Sequence, residues 1–132
     1  MYLSMLNSEK KHLFLNLEIY LSKVDSDFSD AEKLIIDAHC MEMHIDNNNY
    51  DVDMTQSEVF DGLKKLTLQE RKIVFLELVG TIMADNVYHE GEKRLVKKLA
   101  EILGMTDADI DLAFSIIADM KNVYERCADY IK

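Results

Sequence analysis

The residues whose types and spacing could do chemistry are nearly all acidic, and they fall in two short runs. One is Asp25-Ser-Asp-Phe-Ser-Asp-Ala-Glu32-Lys33, the other Asp85-Asn-Val-Tyr-His-Glu-Gly-Glu92-Lys93. They align at an offset of 60 residues and share the pattern D-x-x-[F/Y]-x-[D/E]-x-E-K. Asp25 and Asp85 each stand where an apolar helix is expected to end, and there the helix dipole disfavours a carboxylate. Repeating an unfavourable placement, with Glu32 and Glu92 following in each run, points to carboxylates that converge on positive charge. Donor sets made of oxygen alone suit Mg²⁺ or Ca²⁺ rather than a soft metal. Asp25, Glu32, Asp85 and Glu92 are therefore candidate metal ligands, with Asp30, His89 and Glu90 as additional candidates. The plainer alternative makes Glu32 and Glu92 the N3 members of helix capping boxes, with the aspartates paired to Lys33 or Lys93 or capping a loop amide. On that view His89 is a surface substitute for an N-cap.

Other constellations carry less. His39-Cys-Met-Glu-Met-His44 sets Cys40 and His44 on one helical face, but two ligands do not make a zinc site. Cys40 is expected in the core and the histidines partly exposed. Glu9-Lys-Lys-His12 matches only half of a di-iron repeat. The loop Asp46 to Asp53 lacks the glycine and glutamate of an EF-hand. The sequence holds no phosphate loop, nucleophile elbow, H-E-x-x-H or Cys-x-x-Cys. With no nucleophile and base assembled, the expectation is a non-catalytic protein.

Helices must position these residues. Ser29-Asp-Ala-Glu32, Thr55-Gln-Ser-Glu58 and Thr67-Leu-Gln-Glu70 each match a capping box, and Thr106-Asp-Ala-Asp109 is a weaker version. The spacing predicts helices over about 8–24, from 30 onward with Leu34, Ile35, Ala38 and Met41 apolar, about 56–66, 68–84 and 90–103, and from 107 to the end with a break near Lys121. The fourth is apolar on nearly every side and is expected to lie buried at the centre, with Gly80 letting a neighbouring helix pass close. Gly104 follows the fifth as a left-handed C′ residue. Phe14-Leu-Asn-Leu17 resembles Phe75-Leu-Glu-Leu78, so an internal duplication with halves at about 8–54 and 67–120 is expected, Phe28 and Tyr88 plugging equivalent places.

Composition agrees with a helical domain. The 132 residues fit one domain, 1–132, and 48% hydrophobic content is enough for a core. The chain has no proline and four glycines, too few turn residues for a many-stranded sheet. Fifteen basic against 25 acidic residues give a net charge of −10, which repels phosphates and argues against nucleic acid and anionic membranes. The start has no signal-peptide pattern and no segment reaches the length of a membrane span. Cys40 and Cys127, far apart in apolar patterns, are read as core hydrophobes of a cytoplasmic protein.

An apolar helix ending in Ala84-Asp85-Asn86, then an aromatic, then Glu90-Gly91-Glu92 opening a helix that ends at Leu103-Gly104, resembles the tellurite-resistance B (TerB-like) domain family. The resemblance spans roughly residues 10–120 and is sharpest from Phe75 to Gly104. The family's glycine after the aspartate is Asn86 here and Ser26 in the first run; asparagine tolerates a left-handed turn. The resemblance implies an all-α, internally duplicated bundle of six or seven helices, of the kind found in bacterial stress-response proteins and at the start of some membrane-anchored co-chaperones. It also implies divalent-cation binding through the acidic turns and a protein partner. The expected function is a non-catalytic acidic module that holds a divalent cation or a cationic partner segment. The alternatives are a purely structural helical interaction domain without metal and, third, a metal-dependent hydrolase.

Overall fold

The computed structural model describes residues 1–24, 28–47, 49–84 and 90–132. Among the described residues, a short 3-10 turn, Leu3–Met5, precedes six helices: α1 (Ser8–Ser22), α2 (Asp30–Met43), α3 (Gln56–Leu63), α4 (Leu68–Ile82), α5 (Glu90–Leu103) and α6 (Asp107–Tyr130). The described residues contain no strand, so the protein is all-α. No helix among them is long and apolar enough to cross a membrane.

Local chemistry sets the helix starts. The boxes Ser29/Glu32, Thr55/Glu58, Thr67/Glu70 and Thr106/Asp109 all form both of their hydrogen bonds, the last as fully as the rest. Asn7 caps α1 by accepting from the Lys10 N–H at 2.9 Å. Gly104, at φ +69°, follows the end of α5 in the left-handed region.

The core is built around α4. Val74, Leu78 and Val79 are fully buried, and the helix packs against α1, α2, α5 and α6. Helix α1 is almost as enclosed, with Phe14, Ile19 and Leu21 out of reach of solvent. Gly62 stands where α3 crosses α1: a Cβ there would come 2.8 Å from Leu13 Cδ1, so the Leu13 side chain would have to shift to admit one. Gly80 is not needed for packing: a Cβ would meet Ile117 Cδ1 at 3.7 Å, an ordinary contact.

Several expectations are corrected. Helix α6 runs unbroken through Lys121, since no glycine or proline interrupts it. Cys127 is exposed, because α6 has left the core by that point. Helix α2 turns inward a different face from the one marked by Leu34, Ile35, Ala38 and Met41: Leu34 and Met41 are 69% and 78% exposed, while Glu32, Ile36, His39, Cys40 and Met43 are buried. The inward face is stabilised by polar groups that find partners inside. The loop before α3 is also more than a solvated connection. Asn16 Oδ1 accepts the N–H groups of Asp53 and Met54 at 2.9 and 3.2 Å, pinning the loop to α1.

Candidate functional site

Of the residues picked out by sequence, Asp25, Asp85 and His89 lie outside the described residues, as does Tyr88. The others divide by depth. Glu32 and Glu92 are buried, 2% and 3% exposed, at the N3 positions of α2 and α5. Glu32 Oε1 accepts from the Ser29 N–H and hydroxyl, both at 3.1 Å. Asp30 and Glu90 face solvent, each beside the lysine three residues on: Asp30 lies 3.9 Å from Lys33 Nζ, and Glu90 3.1 Å from Lys93 Nζ. Their outward direction sets them apart from the buried glutamates. Phe28 is half-buried, edge-on to the Tyr50 ring at 5.1 Å, with the Lys23 and Lys33 ammonium groups 5.7 and 5.3 Å from its centroid. Among the described residues, no group of three or more His, Cys, Asp or Glu is arranged to hold a metal ion.

The most unusual electrostatics lie elsewhere, at residues outside the two acidic runs. Glu18 on α1, His39 on α2, and Glu77 and Thr81 on α4 meet inside the bundle. His39 Nδ1 is 2.8 Å from Glu18 Oε2, and its Nε2 is 3.4 Å from Glu77 Oε2. The Thr81 hydroxyl donates to Glu18 Oε2 at 3.1 Å. Glu77 Oε1 accepts the Tyr2 N–H at 2.8 Å and lies 3.0 Å from the Met1 amine, which is 2.7 Å from Glu42. Contrary to expectation, His39 is buried rather than partly exposed, whereas His12 and His44 reach solvent.

Burial alone would lower the His39 pKa, but the hydrogen bonds and charges of Glu18 and Glu77 outweigh it and raise it to about 9. Burial also disfavours a charged Glu77; the His39 hydrogen bond, the Tyr2 N–H and the Met1 amine overcome that and hold it at about 2. Glu18 goes the other way, its burial outweighing the help of His39 and Thr81 and raising its pKa. The result is the His39 ring held between the carboxyl groups of Glu18 and Glu77, which come from different helices. Glu18 Oε1 has no hydrogen-bond partner among the described residues. The two carboxylates sit on opposite ring nitrogens, so a single metal ion could not take both along with the imidazole. Chemically the cluster can tie helices together and store charge.

The surface hollows give access to other residues. One of about 490 Å³ lies between the 3-10 turn and α4, lined by Tyr2, Met5, Leu68, Lys72 and Leu76. Another of about 610 Å³ lies beside the end of α2, lined by Asp37, Met41, His44 and Tyr50. It borders Cys40, whose thiol burial pushes up to about 11, so it is an inert core group.

Comparison with protein-family models, curated proteins and solved structures finds no match.

One signal in the sequence could have revealed the buried cluster. Glu18 and Glu77 interrupt apolar runs, Leu17-Glu-Ile19 and Leu76-Glu-Leu78, on the two helices that are apolar on nearly every side. A carboxylate with no polar face to occupy must find a partner inside.

Proposed function

We propose that this chain is a non-catalytic, TerB-like helical module, duplicated within itself, whose acidic turns before α2 and α5 hold a divalent cation. The observation that carries the reading is the depth of Glu32 and Glu92. A capping glutamate has no need of burial, and the other capping carboxylates, Glu58, Glu70 and Asp109, are not buried. Carboxylates are rarely taken out of water unless donors or a cation compensate them. Two at matching places, each preceded by an acidic run, fit a hard cation such as Mg²⁺ or Ca²⁺ held by oxygen. Glu32 and Glu92 with Asp25 and Asp85 are its ligands in this reading, and the cation's role is to fasten the turns rather than to activate a water.

The duplication has its own support. Helices α1 and α4 both have 15 residues and start at Ser8 and Leu68; α2 and α5 both have 14 and start at Asp30 and Glu90. Both pairs of starts are 60 apart (68 − 8 and 90 − 30). The pairs Asp30/Lys33 and Glu90/Lys93 recur at the same offset.

The test is calorimetric titration with Mg²⁺ and Ca²⁺ at low ionic strength, alongside thermal melts. The proposal expects saturable binding and a rise in Tm, a cation at 100 times its Kd adding about 2.7 kcal/mol. Glu32→Gln keeps the capping geometry of α2 while removing a charged ligand, and Glu92→Gln is the matching isosteric change at α5. They should leave the metal-free Tm nearly unchanged and remove most of the response. A flat titration of the wild type overturns the cation reading in favour of a structural interaction domain.

A further inference from the structure

The chain buries the same positions twice. Among the described residues, every buried residue from Leu3 to Met43 except Asn16 has a buried counterpart 60 positions on. Most of these pairs match in kind, apolar with apolar or Glu32 with Glu92, but five do not. Glu18, Ser22 and His39 stand where the second half has Leu78, Ile82 and Leu99, while Glu77 and Thr81 stand where the first half has Leu17 and Leu21. Those five aliphatic residues are each 1% exposed or less. The polar cluster therefore occupies places that, on the duplication proposed above, are matched by a plain apolar layer. Packing alone does not call for the polar set, and a buried charge cluster is weak support for stability.

Two contacts of the cluster cross from one half to the other. His39 Nε2 lies 3.4 Å from Glu77 Oε2, and the Thr81 hydroxyl donates to Glu18 Oε2 at 3.1 Å. In a duplicated chain the competing assembly joins like halves of two copies. First half on first half sets His39 against Leu17 and Glu18 against Leu21, the counterparts of Glu77 and Thr81. Second half on second half sets Glu77 against Leu99 and Thr81 against Leu78, so a buried carboxylate loses its imidazole. Stranding one member of a buried ion pair is strongly unfavourable, and only the pairing of unlike halves avoids it. The apolar layer accepts either partner.

We propose that Glu18, His39, Glu77 and Thr81 form an internal recognition device, by which each half accepts the other and rejects a copy of itself. The inference rests on the duplication and is independent of any cation. Its test is refolding of the full chain from urea at high micromolar concentration, followed by light scattering on a sizing column. One variant carries Glu18→Leu, Ser22→Ile, His39→Leu, Glu77→Leu and Thr81→Leu, which copies the apolar layer. A second carries only Glu77→Leu with Thr81→Leu, which keeps the His39–Glu18 pair and removes both contacts that cross. The five-fold variant should melt no lower than the wild type, since well-packed apolar residues replace a buried ion pair without loss. Both variants should return from urea with the dimeric and larger fraction raised at least roughly tenfold over wild type, well within the cost of a stranded buried charge. Exchange of unlike halves between copies keeps the cluster whole and is open to the wild type too, so the excess reports like-half pairing. A wild-type mixture from either variant overturns the recognition role. A five-fold variant that melts below the wild type overturns the duplication beneath it as well.

Discussion

His39 Nδ1 lies 2.8 Å from Glu18 Oε2, joining α2 to α1 where Glu18 is fully buried. His39 shares the inward face of α2 with the core residues Ile36, Cys40 and Met43, and with that face turned in, Leu34 and Met41 are turned out. Apolar and ionic contacts on one face together set the helix's rotation.

Stability should depend on pH on both sides of neutrality. The His39 pKa rises from 6.5 to about 9 on folding, so its contribution is full below about 6.5 and is lost as pH rises through 9. The ceiling on that loss is about 3 kcal/mol, because a tenfold change in proton affinity corresponds to about 1.4 kcal/mol. Glu77 acts in the opposite range: held at about 2, it contributes fully above about 4.5 and loses this as pH falls through 2. Glu18, raised by burial, blunts the acid limb. The two limbs report one ion pair and are not additive. Urea denaturation across this range should show a maximum between about pH 5 and 7, and His39→Gln should flatten the alkaline side. Stability that rises from pH 7 to 9 contradicts the assignment.

Removing His39 alone should be worse than removing it with its partner. His39→Leu leaves Glu18 and Glu77 buried without their shared cation and is expected to cost about 3–5 kcal/mol. Adding Glu18→Leu removes the stranded charge and should recover more than half of that loss. A double-mutant cycle from denaturation midpoints measures the coupling; simple additivity would mean that the cluster is not an ionic unit.

Leu78 sits at the middle of α4 with no exposure. Leu78→Ala should destabilise by about 2–5 kcal/mol through lost burial plus the cavity left behind. A change under about 1 kcal/mol, typical of surface sites, would place α4 outside the core.

Gly80→Ala should do the opposite. The new methyl meets Ile117 Cδ1 at 3.7 Å, so it fits, and alanine is better than glycine inside a helix by about 0.5–1 kcal/mol. The expected result is a Tm a few degrees higher. A lower Tm would show that α6 packs closer to α4 than this geometry allows.

The sequence by itself determined the helices and their starts. Capping depends on groups three residues apart, as at Thr67 and Glu70, so the chemistry that forms it is visible locally. The burial of α4 was equally legible, because a helix apolar on every side has only one place to go. The acidic runs were visible as residue types, and the depth of Glu32 and Glu92 was not, since capping gives the same pattern at the surface. The rotation of α2 and the cluster of Glu18, His39 and Glu77 belong to the tertiary structure. Glu18 and His39 are 21 residues apart, and Glu18 and Thr81 are 63 apart. Their meeting depends on how three helices cross, and one more turn of any of them would separate the charges. The same holds for α6: its sequence carries one apolar stripe from Ala113 to Ile131, and only the size of the bundle decides where the core ends and the exposed half begins.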